Sequence, residues 1–261
     1  MYKRQILSDP KVGVPTPMLI QWPDKYYHTS GDVPENISAE LLSKIGVIAA
    51  TYAYLCAAGD EEDVASFVKL TGQGLRKTAI ERIGNFYESG ASSWITPQFY
   101  ARKLLRSAVQ ALRSAEWLCP HSRLVASTVR LEQKTVRQCI QRELKNLLSY
   151  RRLRPHPGRE EHHRIKFGDL VVRRLMPGPV DVRAILQQTT SQTRKRYLKY
   201  SQKRKNSSLM EMLALFAANG KRSIAEISRL VAVEVGDTDP ELIRSYFNLL
   251  EEANIVEIRR R

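Results

Sequence analysis

The chain has 261 residues, enough for one or two domains, and its hydrophobic share of 43% is that of an ordinary globular protein. A formal net charge of +15 asks for anionic company: nucleic acid, an anionic membrane surface, an acidic partner, or a more acidic body of the same protein. No run of eighteen uninterrupted apolar residues and no basic start before an apolar signal core occurs, so neither a membrane span nor a secretory leader is expected; Cys56, Cys119 and Cys139 share no C-x-x-C spacing, which points to thiols in a reducing, cytoplasmic compartment.

Met1–Gln5 (MYKRQ) resembles translated sequencing-adapter read-through and carries no structural expectation. Gly13–Asp32, GVPTPMLIQWPDKYYHTSGD, opens on an apolar run from Val14 to Ile20, broken by Pro15 and Pro17, that reads as a short extended segment. It ends in a polar, aromatic loop holding His28. Ligands of open α/β sheets collect beyond the carboxyl ends of strands, and a neutral imidazole there is a natural zinc ligand, although a lone loop histidine is more often an ordinary surface residue. Asp32–Ser38 is a bridge punctuated by Pro34 and Asn36. Ser38 suits an N-cap and Glu40 the positive end of a helix dipole. Leu41, Leu42, Ile45, Ile48, Ala49, Tyr52, Leu55 and Cys56 recur at three and four residues, so a helix is predicted as far as Gly59. Its apolar side is expected to lie on the sheet to which the Val14 segment belongs. Left uncovered, that side would invite self-association into a homo-oligomer.

Three long amphipathic helices follow. Asp60 to about Ser89 starts on four acids and buries Val64, Phe67, Val68, Leu75, Ala79, Ile83 and Phe86, with Gly72 and Gly74 as a site for a kink. Pro97 opens the next helix, with Tyr100, Leu104, Ala108, Ala111, Leu112 and Ala115 inward, and Pro120 stops it. The third runs from Ser122 to about Tyr150 on Val125, Val129, Val136, Ile140, Leu144 and Leu147. Short connections between long helices predict an antiparallel layer.

Arg151–Gly168 is basic and proline-bearing and reads as a linker or surface loop. His162 and His163 beside Glu160 and Glu161 suggest a metal, but adjacent residues of an extended segment point to opposite sides, and a solvated loop is favoured. Asp169–Pro179 predicts a strand and turn, where Arg173 and Arg174 are fit to grip a carboxylate bidentately, a solvent face being preferred. The run Arg194, Lys195, Arg196, Tyr197, Lys199, Tyr200, Lys203, Arg204 and Lys205 is the best nucleic-acid signal in the chain, because cations attract phosphates and aromatic faces stack on bases. A solvated helix or linker explains the same run, since cationic stretches are common.

Ser207–Arg261 forms a unit of its own. Leu209–Ala218 is a helix ended by Asn219-Gly220, Ser223 caps a second, and Asp239-Pro240 open a third. Ile255–Ile258 alternates like a strand. Three helices and a strand predict a winged-helix-like fold, which often sets its third helix in the DNA major groove. Here that helix offers Glu241, Arg244, Asn248, Glu251 and Glu252 outward, too acidic a set for base reading, and a docking role is preferred.

The string WPDKYYHTSGDVPENISAELLSKIGVIAATYAYLCAAG resembles the closing segment of zinc-dependent aminopeptidases, the family that includes glutamate carboxypeptidase-like enzymes. In that family a strand leads into an aromatic-His-Thr/Ser-x-x-Asp loop and then the last helix of the catalytic domain. The matching positions are Tyr27, His28, Thr29 and Asp32; where the family usually has Thr after the Asp, this chain has Val33. The resemblance, spanning about residues 8 to 58, implies that His28 is one ligand of a two-zinc site. It implies too that Tyr27 or its backbone lies near a peptide substrate's carbonyl, with Thr29 and Asp32 supporting the loop. The family's other ligands and general base lie upstream of this loop. The expectation is therefore the C-terminal part of a metallopeptidase, inactive alone. Its fold class is mainly α: residues 6–58 the end of an α/β zinc-peptidase domain (strand, loop, last helix), 59–153 a helical extension, 154–206 a basic linker with a short strand, and 207–261 a winged-helix-like domain, with 1–5 non-native. The alternative is a basic winged-helix nucleic-acid-binding protein.

Overall fold

The computed structural model describes residues 9–14, 16–19, 23–89, 91, 94–153 and 166–261. The expectations for Met1–Gln5 and for Glu160, Glu161, His162 and His163 fall outside these residues. The protein is mainly helical with one small antiparallel sheet, and it divides into two compact units. One unit comprises Pro17–Ile80 and Leu104–Arg142; the other comprises Met1–Thr16, Glu81–Lys103 and Glu143–Arg261.

In the first unit, α1 (Ala39–Ala58) starts where Ser38 Oγ accepts from the Leu41 N–H at 3.2 Å, and it ends at Gly59. None of its residues is buried. Leu42, Val47, Ile48 and Tyr54 are 57–64% exposed, so the expected packing on a sheet is not provided by the described residues. With 20 residues and a mean hydropathy of 1.5, α1 is long and apolar enough to cross a membrane.

Asp60 caps α2 (Glu61–Gly84) by accepting from the N–H groups of Glu62 and Asp63, both at 2.9 Å. The helix stops at Gly84 and passes unbroken through Gly72 and Gly74. Gly72 serves contact instead: an added Cβ would collide with the Glu132 carboxylate, which pairs with Arg76. α3 (Pro97–Ser114) starts at the expected proline but gives way to a 3-10 turn, Ala115–Trp117, before Pro120. Ser122 caps α4 (Arg123–Leu153). Val64, Val68, Ala108, Leu112, Val125, Val129, Val136 and Ile140 are buried, forming the core of this unit.

The second unit centres on β1 (Leu170–Arg174). The stretch expected to be a linker instead folds into α5 (Val182–Gln188) and α6 (Ser191–Ser201). Asp181 and Thr190 cap them with their side chains. Then come α7 (Ser207–Ala217), β2 (Asn219–Ser223), α8 (Ile224–Val235), α9 (Pro240–Glu252) and β3 (Val256–Arg260). Ser223 and Glu226 form a reciprocal capping box on α8, and Asp239 accepts from Glu241 and Leu242 to start α9. The sheet order is β2-β1-β3, antiparallel throughout, with Val171 opposite Ser223 and Val172 opposite Ile258. Its middle strand thus comes from before the helices. Ile185 of α5 and Tyr197 of α6 join Val172, Leu215, Ile227, Ile243, Phe247 and Leu250 in one core.

Arg174 occupies the inner side of β1, against the preference for solvent, while Arg173 stays outside and pairs with Glu257 at 3.3 Å. The Arg174 guanidinium holds fully buried Asp9 bidentately and donates to the carbonyls of Met176 at 2.8 Å and Gly178 at 3.0 Å. Burial pushes the Asp9 carboxyl up, but hydrogen bonds from Arg174, Lys11 N–H and Gly178 N–H outweigh it and leave Asp9 below its ordinary range.

Candidate functional site

The loop from Pro23 to Asp32 is held by its own polar groups. Asp24 Oδ1 accepts from the Tyr26 N–H at 2.9 Å, and Thr29 returns both its N–H (2.9 Å) and its hydroxyl (2.7 Å) to the Tyr26 carbonyl. The Thr29 hydroxyl also accepts from the Gly31 N–H at 3.2 Å, and the Asp32 N–H donates to the Thr29 carbonyl at 3.2 Å. This winding puts His28 at φ 60°, a left-handed conformation that costs a non-glycine residue about 1–2 kcal/mol. Histidine is among the residues enriched there. The imidazole is exposed, its centroid 4.0 Å from the Tyr27 ring.

Beside the loop lies an open groove of about 550 Å³. Tyr26, Val33, Ile37, Leu41 and Ile45 give it an apolar wall, and Asp24, Lys25 and Asp32 its charge. Of the four positions matched to the peptidase loop, Asp32 lines the groove, Thr29 ties the loop together, and Tyr27 and His28 stand side by side. Among the described residues no group of three or more His, Cys, Asp or Glu side chains is placed to hold a metal ion. A zinc site takes three or four ligands. The described residues therefore do not fit a zinc pair: His28 would supply one imidazole and no described neighbour completes the set.

The basic run is split by its surroundings. Tyr197 is only 5% exposed and its hydroxyl donates to Glu211 Oε1 at 2.9 Å, so it is a core residue with no face for a base. Burial, then the nearby Glu211 charge, pushes the Tyr197 phenol far up; burial also raises Glu211, against the lowering effect of the Tyr197 hydrogen bond. Arg194 is half-buried and donates to the Thr189 carbonyl at 3.2 Å, and Arg204 is paired with Asp237 and Asp239. Tyr200 is half-buried, with Lys199 5.6 Å from its ring centroid. Lys195, Arg196, Lys199, Lys203 and Lys205 are exposed.

No protein-family model, curated protein or solved structure matches this chain.

The sequence also hid the setting of one cation. Arg244 lies half-buried on α9, its Nη1 atom without a hydrogen-bond partner among the described residues. Arg196 and Arg260 are near enough to oppose its charge, and Glu251 and Asp169 to support it. Within α9, Arg244 reads as one outward cation among acids; what distinguishes it is the packing of α6 against α9, which no local pattern announces.

Proposed function

We propose that this chain is the C-terminal part of a zinc-dependent aminopeptidase-like protein, in which residues 6–58 end the catalytic domain and the C-terminal unit is a winged-helix-like module. One observation carries this reading. Directly after the Tyr27-His28-Thr29-x-x-Asp32 loop comes a 20-residue apolar helix with no residue buried. A helix apolar on all sides belongs in the interior of a larger protein or in a membrane, and the peptidase-like loop directly before α1 favours the first. An α/β catalytic body would cover α1 and line the groove at Tyr26 and Leu41. The exposed His28 is then free to complete a site whose other ligands lie elsewhere in the parent protein.

In this reading the metals would polarise a peptide carbonyl and activate water. The residues of this chain have supporting duties: Thr29 and Asp24 hold the loop's turns, the left-handed backbone turns the His28 ring to solvent, and Tyr27 stands beside it. The winged-helix-like module is read from the order helix, strand, helix, helix, strand in residues 207–260, the third strand of its sheet being supplied by Leu170–Arg174.

The test starts from the coding sequence ahead of residue 1. A protein extended through it should bind two zinc ions and hydrolyse aminoacyl p-nitroanilides, and His28→Ala should cost one of the two ions. The present chain should do neither. An extension without His, Asp and Glu ligands, or zinc content indifferent to His28→Ala, would overturn the proposal.

A further inference from the structure

We propose that the outer side of α6, with Arg244 and Arg260 beside it, binds the phosphate backbone of a nucleic-acid duplex without reading its sequence. In a helix of 3.6 residues per turn, Lys195 and Lys199 fall on the side opposite buried Tyr197, Arg196 falls on the flank, and Lys203 follows in the turn after the helix ends at Ser201. The step of four residues sets Lys195 and Lys199 about 6 Å apart along the axis. No acid occurs between Val182 and Met210, and none of Lys195, Arg196, Lys199 and Lys203 is ion-paired among the described residues. At one edge Arg196 lines a groove with Ser245, Asn248, Glu251 and Glu252 of α9, and Arg244 of α9 and Arg260 of β3 are near enough for their charges to be felt there. The Nη1 atom of Arg244 is enclosed, so this arginine adds positive potential beside the ridge rather than a direct phosphate contact. Asp169, 3.8 Å from Arg260, and Glu251, which accepts from the Ile258 N–H at 2.9 Å, are the acids facing Arg244. Glu252 lines the groove beside Arg196 as well, so the cations left without a paired acid among the described residues are the ridge lysines Lys195, Lys199 and Lys203.

The same geometry excludes other modes of nucleic-acid contact. Tyr197 is buried and Tyr200 is half-buried against the same core, so neither ring is offered whole to unstacked bases. α9 is packed against α6, and Glu252 of α9 accepts from Thr190, so the third helix of this unit is not clear to enter a groove. The ridge residues Ser191, Gln192, Lys195, Arg196 and Lys199 are all polar, leaving no apolar side chain to insert into a bilayer. What remains is phosphate attraction.

The experiment measures anisotropy of a labelled 20-base-pair duplex of random sequence against the full chain at 50–200 mM NaCl. Duplex binding loses about 0.9 in log K per log unit of salt for each phosphate contacted, so a slope near −4 is expected. The Lys195→Ala/Lys199→Ala/Lys203→Ala variant should bind at least ten-fold more weakly with a slope shallower by 2 to 3. As a control, Arg130→Ala/Lys134→Ala/Arg137→Ala removes the same charge from exposed positions of α4 and should change affinity by no more than two-fold. Equal losses in the two variants would reduce the effect to net charge and overturn the proposal. Absence of duplex binding at 50 mM salt would do the same, as would tighter binding to a single-stranded 20-mer or, with α1 carrying Leu42→Lys/Val47→Lys/Ile48→Lys, to phosphatidylserine vesicles.

Discussion

At Gly72 and Gly74 the same residue type, two positions apart on one helix, does opposite things. Gly74 has nothing within 4 Å of where a Cβ would sit, so Gly74→Ala should raise stability by up to about 1 kcal/mol through helix propensity alone. At Gly72 the added methyl would collide with Glu132, whose carboxylate holds Arg76 and also accepts from Thr135. Displacing it would leave a half-buried guanidinium short of its partner at a cost of about 1–3 kcal/mol. Gly72→Ala should therefore lower the midpoint of urea unfolding while Gly74→Ala raises it; two rises would dismiss the notch. A pair of glycines in a helix reads in sequence as a kink. Only the residue across the gap, sixty positions later, reveals that one of them is a contact. Arg174 was obscured in the same way, because its partner Asp9 lies 165 residues away and no local pattern joins them.

Helix starts were legible because capping is local. Ser38, Ser223 and Asp239 each accept a backbone N–H within three residues, and Pro97 and Pro240 sit at first positions as their missing N–H allows. Ser223→Ala should remove about 1 kcal/mol, read as a lower thermal midpoint. α5 escaped because seven residues are too few to show a period, and α6, read as a solvated helix or linker, because charge masked its buried side. Tyr197 and Leu198 form a narrow apolar edge inside a stretch dominated by cations, and it becomes part of a core only against α7 and α9. For α1 the periodicity was read as one apolar side, whereas its exposed apolar residues go round the helix. Leu42→Lys/Val47→Lys/Ile48→Lys should leave the thermal midpoint within a degree or two, since none of these side chains is buried. The same variant should shift sedimentation toward the monomer. A steep loss of stability would mean that α1 is covered.

Across the molecule, two buried carboxyls set opposite responses to pH. Asp9 titrates below its ordinary value, so its contribution is complete at neutral pH and is lost as pH falls through the region below about 3.8. Glu211 titrates above its ordinary value near 4.5, so the folded form loses stability as pH rises from there toward the elevated value. Glu211→Gln should therefore raise the thermal midpoint at pH 8 and do less at pH 4. Unfolding curves at the two values check it, and a larger gain in acid would reverse the assignment.

β1 is synthesised before both of the strands that flank it, and its hydrogen bonds wait for chain that has not yet been made. Val171 must find Ser223, and Val172 must find Ile258, across loops that lengthen the search. During translation the strand stays unsatisfied on one side until the final five-residue partner has emerged, and an open edge of that kind pairs readily with a neighbouring molecule. The protein should accordingly refold in higher yield when dilute, and crowding at the ribosome should be felt first by this sheet.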